Sequence, residues 1–134
     1  MASCREEEMK KVAKALGVVF LLMVLILVGG VFYMTRGLDE GVAASPEGIQ
    51  LLPGDGTYVG AHHNGRWTNE LQVVITGNRI EKIEILDDVT FVSEEVTKEL
   101  FQTVIAAQDT RVDVVAGATV TCNAYLASIE DALN

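Results

Sequence analysis

From Ala15 to Met34 the chain runs twenty residues without a charged side chain, ALGVVFLLMVLILVGGVFYM. As an α-helix this run is roughly 30 Å long, about the thickness of a bilayer's hydrocarbon core. Every backbone polar group is satisfied within such a helix, which lipid demands. A helix of a soluble core would keep one polar stripe; this run has none. Phe32 and Tyr33 fall at its C-terminal end, where aromatic rings favour the membrane–water interface. The run predicts a transmembrane helix over 15–34.

Its flanks set the expected orientation. Arg5, Lys10, Lys11 and Lys14 precede it, and only Arg36 follows closely. The positive-inside rule therefore places residues 1–14 in the cytoplasm and everything after Thr35 outside the cell membrane, as a single-pass protein. A cleaved signal peptide has a shorter apolar region, with its small-residue site soon after it; Val42-Ala43-Ala44 lies well beyond the apolar end. A lipoprotein would need a cysteine just after the run. A pilin-like subunit would carry a glutamate early in it.

Residues 35–50, TRGLDEGVAASPEGIQ, are small, polar and turn-prone, and read as a tether. That leaves 51–134 for one small domain with a modest core. Of the net charge of −9, the residues from 35 onward carry six positive and sixteen negative side chains, a sum of −10. A part so acidic repels nucleic acid and anionic headgroups, and nucleic acid is excluded as a partner. The plainer reading is that charge keeps a small domain soluble. The two cysteines, Cys4 and Cys122, lie on opposite sides of the apolar run, so no disulfide joins them within one chain. No cysteine or histidine spacing suits zinc.

Within the domain the hydrophobic period changes once. Pro53-Gly54-Asp55-Gly56 is a turn, and Thr57-Tyr58-Val59 starts a strand. Asn64-Gly65 marks a second turn. In Glu70–Thr76, Leu71, Val73 and Ile75 alternate as in a half-buried strand. Gly77-Asn78 is a hairpin turn, followed by a strand over Ile80–Leu86. From Ser93 the spacing becomes helical, with Val96, Leu100, Val104 and Ala107 in register and Phe101 and Ile105 beside them. Ser93 is the expected N-cap, with Glu94 and Glu95 in the first turn. A closing helix is expected over 121–133, its stripe formed by Cys122, Leu126, Ile129 and Leu133, with Tyr125 at the edge. Two helices on a three-stranded antiparallel meander make an α+β domain.

Between the helices lies Asp113-Val114-Val115-Ala116-Gly117-Ala118-Thr119-Val120-Thr121. Small and hydroxyl residues opening into a helix suit a phosphate, because the first turn has unpaired N–H groups and the positive end of the dipole. Gly117 and Ala118 allow close backbone approach. The same residues are also ordinary helix caps, so the pattern leaves both readings open.

The stretch VDVVAGATVTCNAYLASIEDAL resembles the FMN-binding domain family, which includes flavin-carrying subunits of sodium-pumping NADH:quinone reductase and of the Rnf electron-transport complex. The likeness extends upstream through Asp55–Gly60 and the hairpin QVVITGNRIEKIEIL. It implies FMN as cofactor and membrane redox proteins as partners. It also implies a flavin transferase that esterifies the FMN phosphate to the last threonine of the signature Asp-x-x-(Ser/Thr)-Gly-Ala-Thr, here Thr119. Gly117, Ala118, Thr121 and Asp113 complete the implied site. Ala116 stands where the family has Ser or Thr. The family's Glu-Thr-Pro-Gly loop is absent, and Leu86–Phe91 occupies its place. The resulting expectation is an extracytoplasmic electron carrier, with a non-flavinylated binding or scaffold module of the same fold as the alternative.

For Asp113 a brace on the loop, or help in placing a transferase's metal, competes with a plain Asx turn. His62 and His63 are neighbours on a strand end and point apart, which favours a surface turn over a metal site. Tyr58 and Trp67 read as packing residues before flavin-stacking ones. Cys122 reads as a buried thiol before a reactive one.

Overall fold

The computed structural model describes residues 2–36 and 46–134. The chain divides into two compact units, Met1–Thr35 and Arg36–Asn134.

The first unit is one helix, α1 (Ala2–Thr35), long and apolar enough to cross a membrane, with mean hydropathy 2.9 over its most apolar window. It contains the expected 15–34 span and begins thirteen residues earlier. The cause is local. Glu6 and Glu7 stand four residues before Lys10 and Lys11, the favourable order for helix pairs, and Lys11 binds Glu8 at 3.0 Å. Such exposed pairs add only tenths of a kcal/mol, enough to extend a helix already nucleated by an apolar run.

The second unit is α+β, as the sequence pattern predicts. Strands β1 (Gly56–His62), β2 (Asn69–Thr76) and β3 (Arg79–Asp87) form an antiparallel sheet in the order β1-β2-β3. A single 3₁₀ turn, Gly65–Trp67, joins the first two strands. Helices α2 (Glu94–Ala107) and α3 (Thr119–Leu133) follow. In β2 the alternation is nearly complete, with Leu71, Val73 and Ile75 buried and their neighbours toward solvent. In β3, Ile80 and Ile83 share the core face although their spacing is odd. A register shift between Val74 and Ile75 pairs Ile80 with Ile75 and Lys82 with Val74. Glu81 is the extra residue, and the bulge returns Ile80 to the core.

Both helices cover this core face. α3 packs on β1 and β2, and α2 on β3 and α3. α2 buries Leu100, Phe101 and Val104, while Ala107, expected on the same stripe, is exposed. α3 is buried nearly all round: besides Cys122, Leu126, Ile129 and Leu133 it hides Ala124, Tyr125 and Ser128. Each large apolar side chain so buried contributes about 1.5–3 kcal/mol. The Ser128 hydroxyl is satisfied by Asn69 Oδ1 at 2.7 Å, and Asn69 donates to the Trp67 carbonyl at 3.0 Å. α3 comes this close to β1 because position 60 is glycine. A Cβ there would stand 2.1 Å from the Ser128 carbonyl oxygen and 2.4 Å from the Ala132 nitrogen.

Of the expected tether, residues 37–45 lie outside the described residues. Residues 48–50 are fixed to the domain: the Gly48 N–H donates to Glu130 at 2.9 Å, Ile49 to Asp109 at 3.1 Å, and Gln50 to Asn134 at 3.5 Å.

Candidate functional site

The segment between α2 and α3 is pinned before it opens. α2 ends on Gln108 in the left-handed conformation, φ 57°. Its side-chain amide pairs with the Ile80 backbone in both directions, accepting at 2.7 Å and donating at 3.0 Å. Asp109 accepts from the backbones of Ile49 and Thr110 and from the Arg111 guanidinium, which holds its carboxyl down to about 2. Thr110 is fully buried and donates to Glu130 at 2.5 Å. Val112, Val114 and Val115 then pack against the core.

The chain next turns sharply. The Ala118 N–H donates to the Val115 carbonyl at 3.0 Å, with Gly117 at φ +83° in third position. This is the conformation a type II turn requires there, and it excludes most side chains. A Cβ on Gly117 would meet nothing within 4 Å, so the turn faces open space. The turn delivers Ala118 as the N-cap of α3, and its carbonyl receives the Cys122 N–H at 2.9 Å.

α3 therefore starts at Thr119, two residues before the expected start, and Thr121 is its third residue rather than its cap. The glycine turn, not a hydroxyl, sets the start: no side chain caps this helix. The N–H groups of Thr119, Val120 and Thr121 have no acceptor within the helix, and its first turn carries no carboxylate. An unopposed dipole end flanked by exposed Ala116, Gly117 and Thr119 is a place where a phosphate can sit against backbone N–H groups.

Four of the five predicted site residues thus come together. Gly117 makes the turn, Ala118 caps, Thr119 presents its hydroxyl at the first helical position, and Thr121 supplies an N–H while half-buried. Asp113 is exposed, four residues before Gly117. Val120 would join such a site through its backbone N–H, which no side-chain pattern marks.

The other candidates resolve toward packing. Trp67 is buried beneath the Arg66 guanidinium, 4.2 Å from its ring centre, and the Tyr58 hydroxyl donates to the Gly54 carbonyl at 2.7 Å. Cys122 is fully buried, and burial pushes its thiol up, which outweighs its place near a helix start. Among the described residues no group of histidine, cysteine and carboxylate side chains is placed to hold a metal ion.

The residues fit a flavin phosphate: an accessible hydroxyl, adjacent N–H donors, open space before the turn and no carboxylate in the first helical turn. A family model described as FMN-binding domain matches residues 65–134, from the 3₁₀ turn to the end of α3. No curated protein matches the chain significantly.

Proposed function

The chain belongs to the FMN-binding domain family, and from that premise we propose that it is a membrane-anchored electron carrier with FMN joined to Thr119 by a phosphoester. The observation that carries this reading is the start of α3, which has no side-chain cap and opens on the exposed Thr119, with first-turn N–H groups that have no acceptor within the helix.

Bound FMN supplies the one- and two-electron chemistry. The chain's own residues do the rest. Gly117 would hold the turn open, the N–H groups of Thr119–Thr121 would hold the phosphate, and Thr119 Oγ would provide the ester oxygen, giving up its proton. Forming that ester needs a flavin transferase and an activated donor such as a flavin dinucleotide, whose pyrophosphate bond breaks as the new bond forms. A covalent link removes the loss of FMN by dissociation into a dilute medium. No side chain is required as an acid or base toward a substrate.

On this reading α1 anchors the chain in the membrane with residues 1–14 in the cytoplasm, and the domain exchanges electrons outside between membrane redox partners and an external acceptor. The basic residues before the apolar run support that side. Ala116, at the position of the family's Ser or Thr, favours a second reading, a module of the same fold without covalent flavin.

Absorbance of the acid-denatured protein in the flavin band, with its intact mass, tests the proposal. Flavin that stays with the denatured chain and adds the mass of FMN supports it. An unmodified mass after co-expression with a flavin transferase rejects it. A reporter fused after Thr35 tests the side: activity confined to the cytoplasm reverses the topology.

A further inference from the structure

Between β3 and α2 the loop around residues 86–93 exposes what a small acidic domain usually hides. Leu86 is 50% exposed, Phe91 61% and Val92 51%. The loop is nevertheless firmly built. Val89 is buried, the Thr90 N–H donates to the Arg66 carbonyl at 3.0 Å, and Asp88 accepts the buried Tyr125 hydroxyl at 2.5 Å. The Arg66 guanidinium lies 5.9 Å from the Phe91 ring centre and 4.2 Å from that of Trp67, and the phenyl stays exposed. Beside it a cleft of about 200 Å³ is lined by Ile85, Asp88, Val92, Glu94, Thr97 and Lys98.

Charge surrounds this apolar centre unevenly. Asp87, Asp88, Glu94 and Glu95 stand against Arg66 and Lys98, four carboxylates to two cations. Arg66 is turned onto the rings. An apolar centre inside an acidic rim matches a partner with an apolar face inside a basic rim, the arrangement that gives fast and transient association. The position also suits such use. Tyr125, which holds Asp88, lies six residues beyond Thr119 on α3, ~9 Å along the helix axis.

We infer that Phe91 and Val92, with the rim of Asp87, Glu94 and Glu95, form the docking surface for a basic protein partner in electron exchange. Its purpose rests on the carrier reading above; its existence as a surface does not.

The test uses the full chain in zwitterionic nanodiscs, first without flavin, and cytochrome c, a basic haem protein, as the probe. Affinity is measured by interferometry at low and moderate salt. Phe91→Ser with Val92→Ser should weaken binding about tenfold or more, the effect of losing a central apolar contact. Glu94→Gln with Glu95→Gln should weaken it several-fold, and added salt should remove that difference. Asp55→Asn with Glu81→Gln removes the same charge near the opposite end of the sheet and should change little. Equal losses from the two charge pairs, or wild-type affinity in the Phe91/Val92 variant, would overturn the proposal. Flavin-loaded protein should bind as the unloaded chain does. If loading abolishes binding and Phe91→Ser shifts flavin fluorescence, the ring covers this patch and the docking surface is refuted. Binding by the unloaded chain stands even if no flavin is ever attached, so the two readings fail separately.

Discussion

The two helices of the soluble domain begin in opposite ways. α2 follows Ser93 and places Glu94 and Glu95 in its first turn, so its dipole end is met by the chain's own carboxylates. α3 follows a glycine turn and places no acidic group in its first turn. Neither start has a side-chain cap. α2 thus brings its own anions, while α3 starts on small residues and the exposed Thr119. On the proposed reading, the start of α3 without a carboxylate is where the flavin phosphate would sit.

The largest effect is expected where α3 is seated. Gly60→Val forces side-chain atoms into the Ser128 carbonyl and the Ala132 nitrogen, so α3 must lift off β1. Chemical unfolding followed by Trp67 fluorescence should show a loss of about 3 kcal/mol or more. Wild-type stability in this variant would mean that α3 does not rest on β1 as described.

A smaller pair of changes tests the helix starts themselves. In flavin-free protein, Glu94→Gln and Glu95→Gln should each cost about 0.3–1 kcal/mol by stripping α2 of its anions. Thr119→Asp should do the reverse, stabilising by a similar amount because α3 gains one. Shifts of the same sign at both helices would erase the contrast.

The smallest effect concerns the loop that leads to α3. Arg111 lowers the Asp109 carboxyl from 3.8 to about 2. A carboxyl depressed in the folded state stabilises it above the unfolded value, and that contribution fades as pH falls from 3.8 through about 2. Asp109→Asn should flatten the decline of stability with acid across that window. An unchanged acid limb would detach Asp109 from the packing of residues 48–50.

The sequence made the sheet and α2 readable because Leu71, Val73, Ile75 and Leu100, Phe101, Val104 repeat with one period each. The bulge at Glu81 was not readable, since only pairing with β2 shows that Ile80 and Ile83 share a face. The start of α3 was misplaced because hydroxyls at 119 and 121 look like caps, whereas the left-handed Gly117 decides where the helix begins. The buried links Asn69–Ser128 and Thr110–Glu130 join residues far apart in the chain, and no local pattern announces them. At 117–121 residue type left a phosphate site and an ordinary helix cap both open. FMN was legible only through resemblance, as nothing in the spacing distinguishes a flavin phosphate from another.

The central claim is that the first residue of α3, and no other hydroxyl near it, carries the flavin. Wild type, Thr119→Val and Thr121→Val are each co-expressed with a flavin transferase, and intact mass and in-gel flavin fluorescence are recorded. Valine keeps the β-branched shape and removes only the oxygen. Wild type and Thr121→Val should carry the added mass of FMN and fluoresce, and Thr119→Val should reach the membrane folded but without either signal. Flavin retained in Thr119→Val and lost in Thr121→Val would contradict the account.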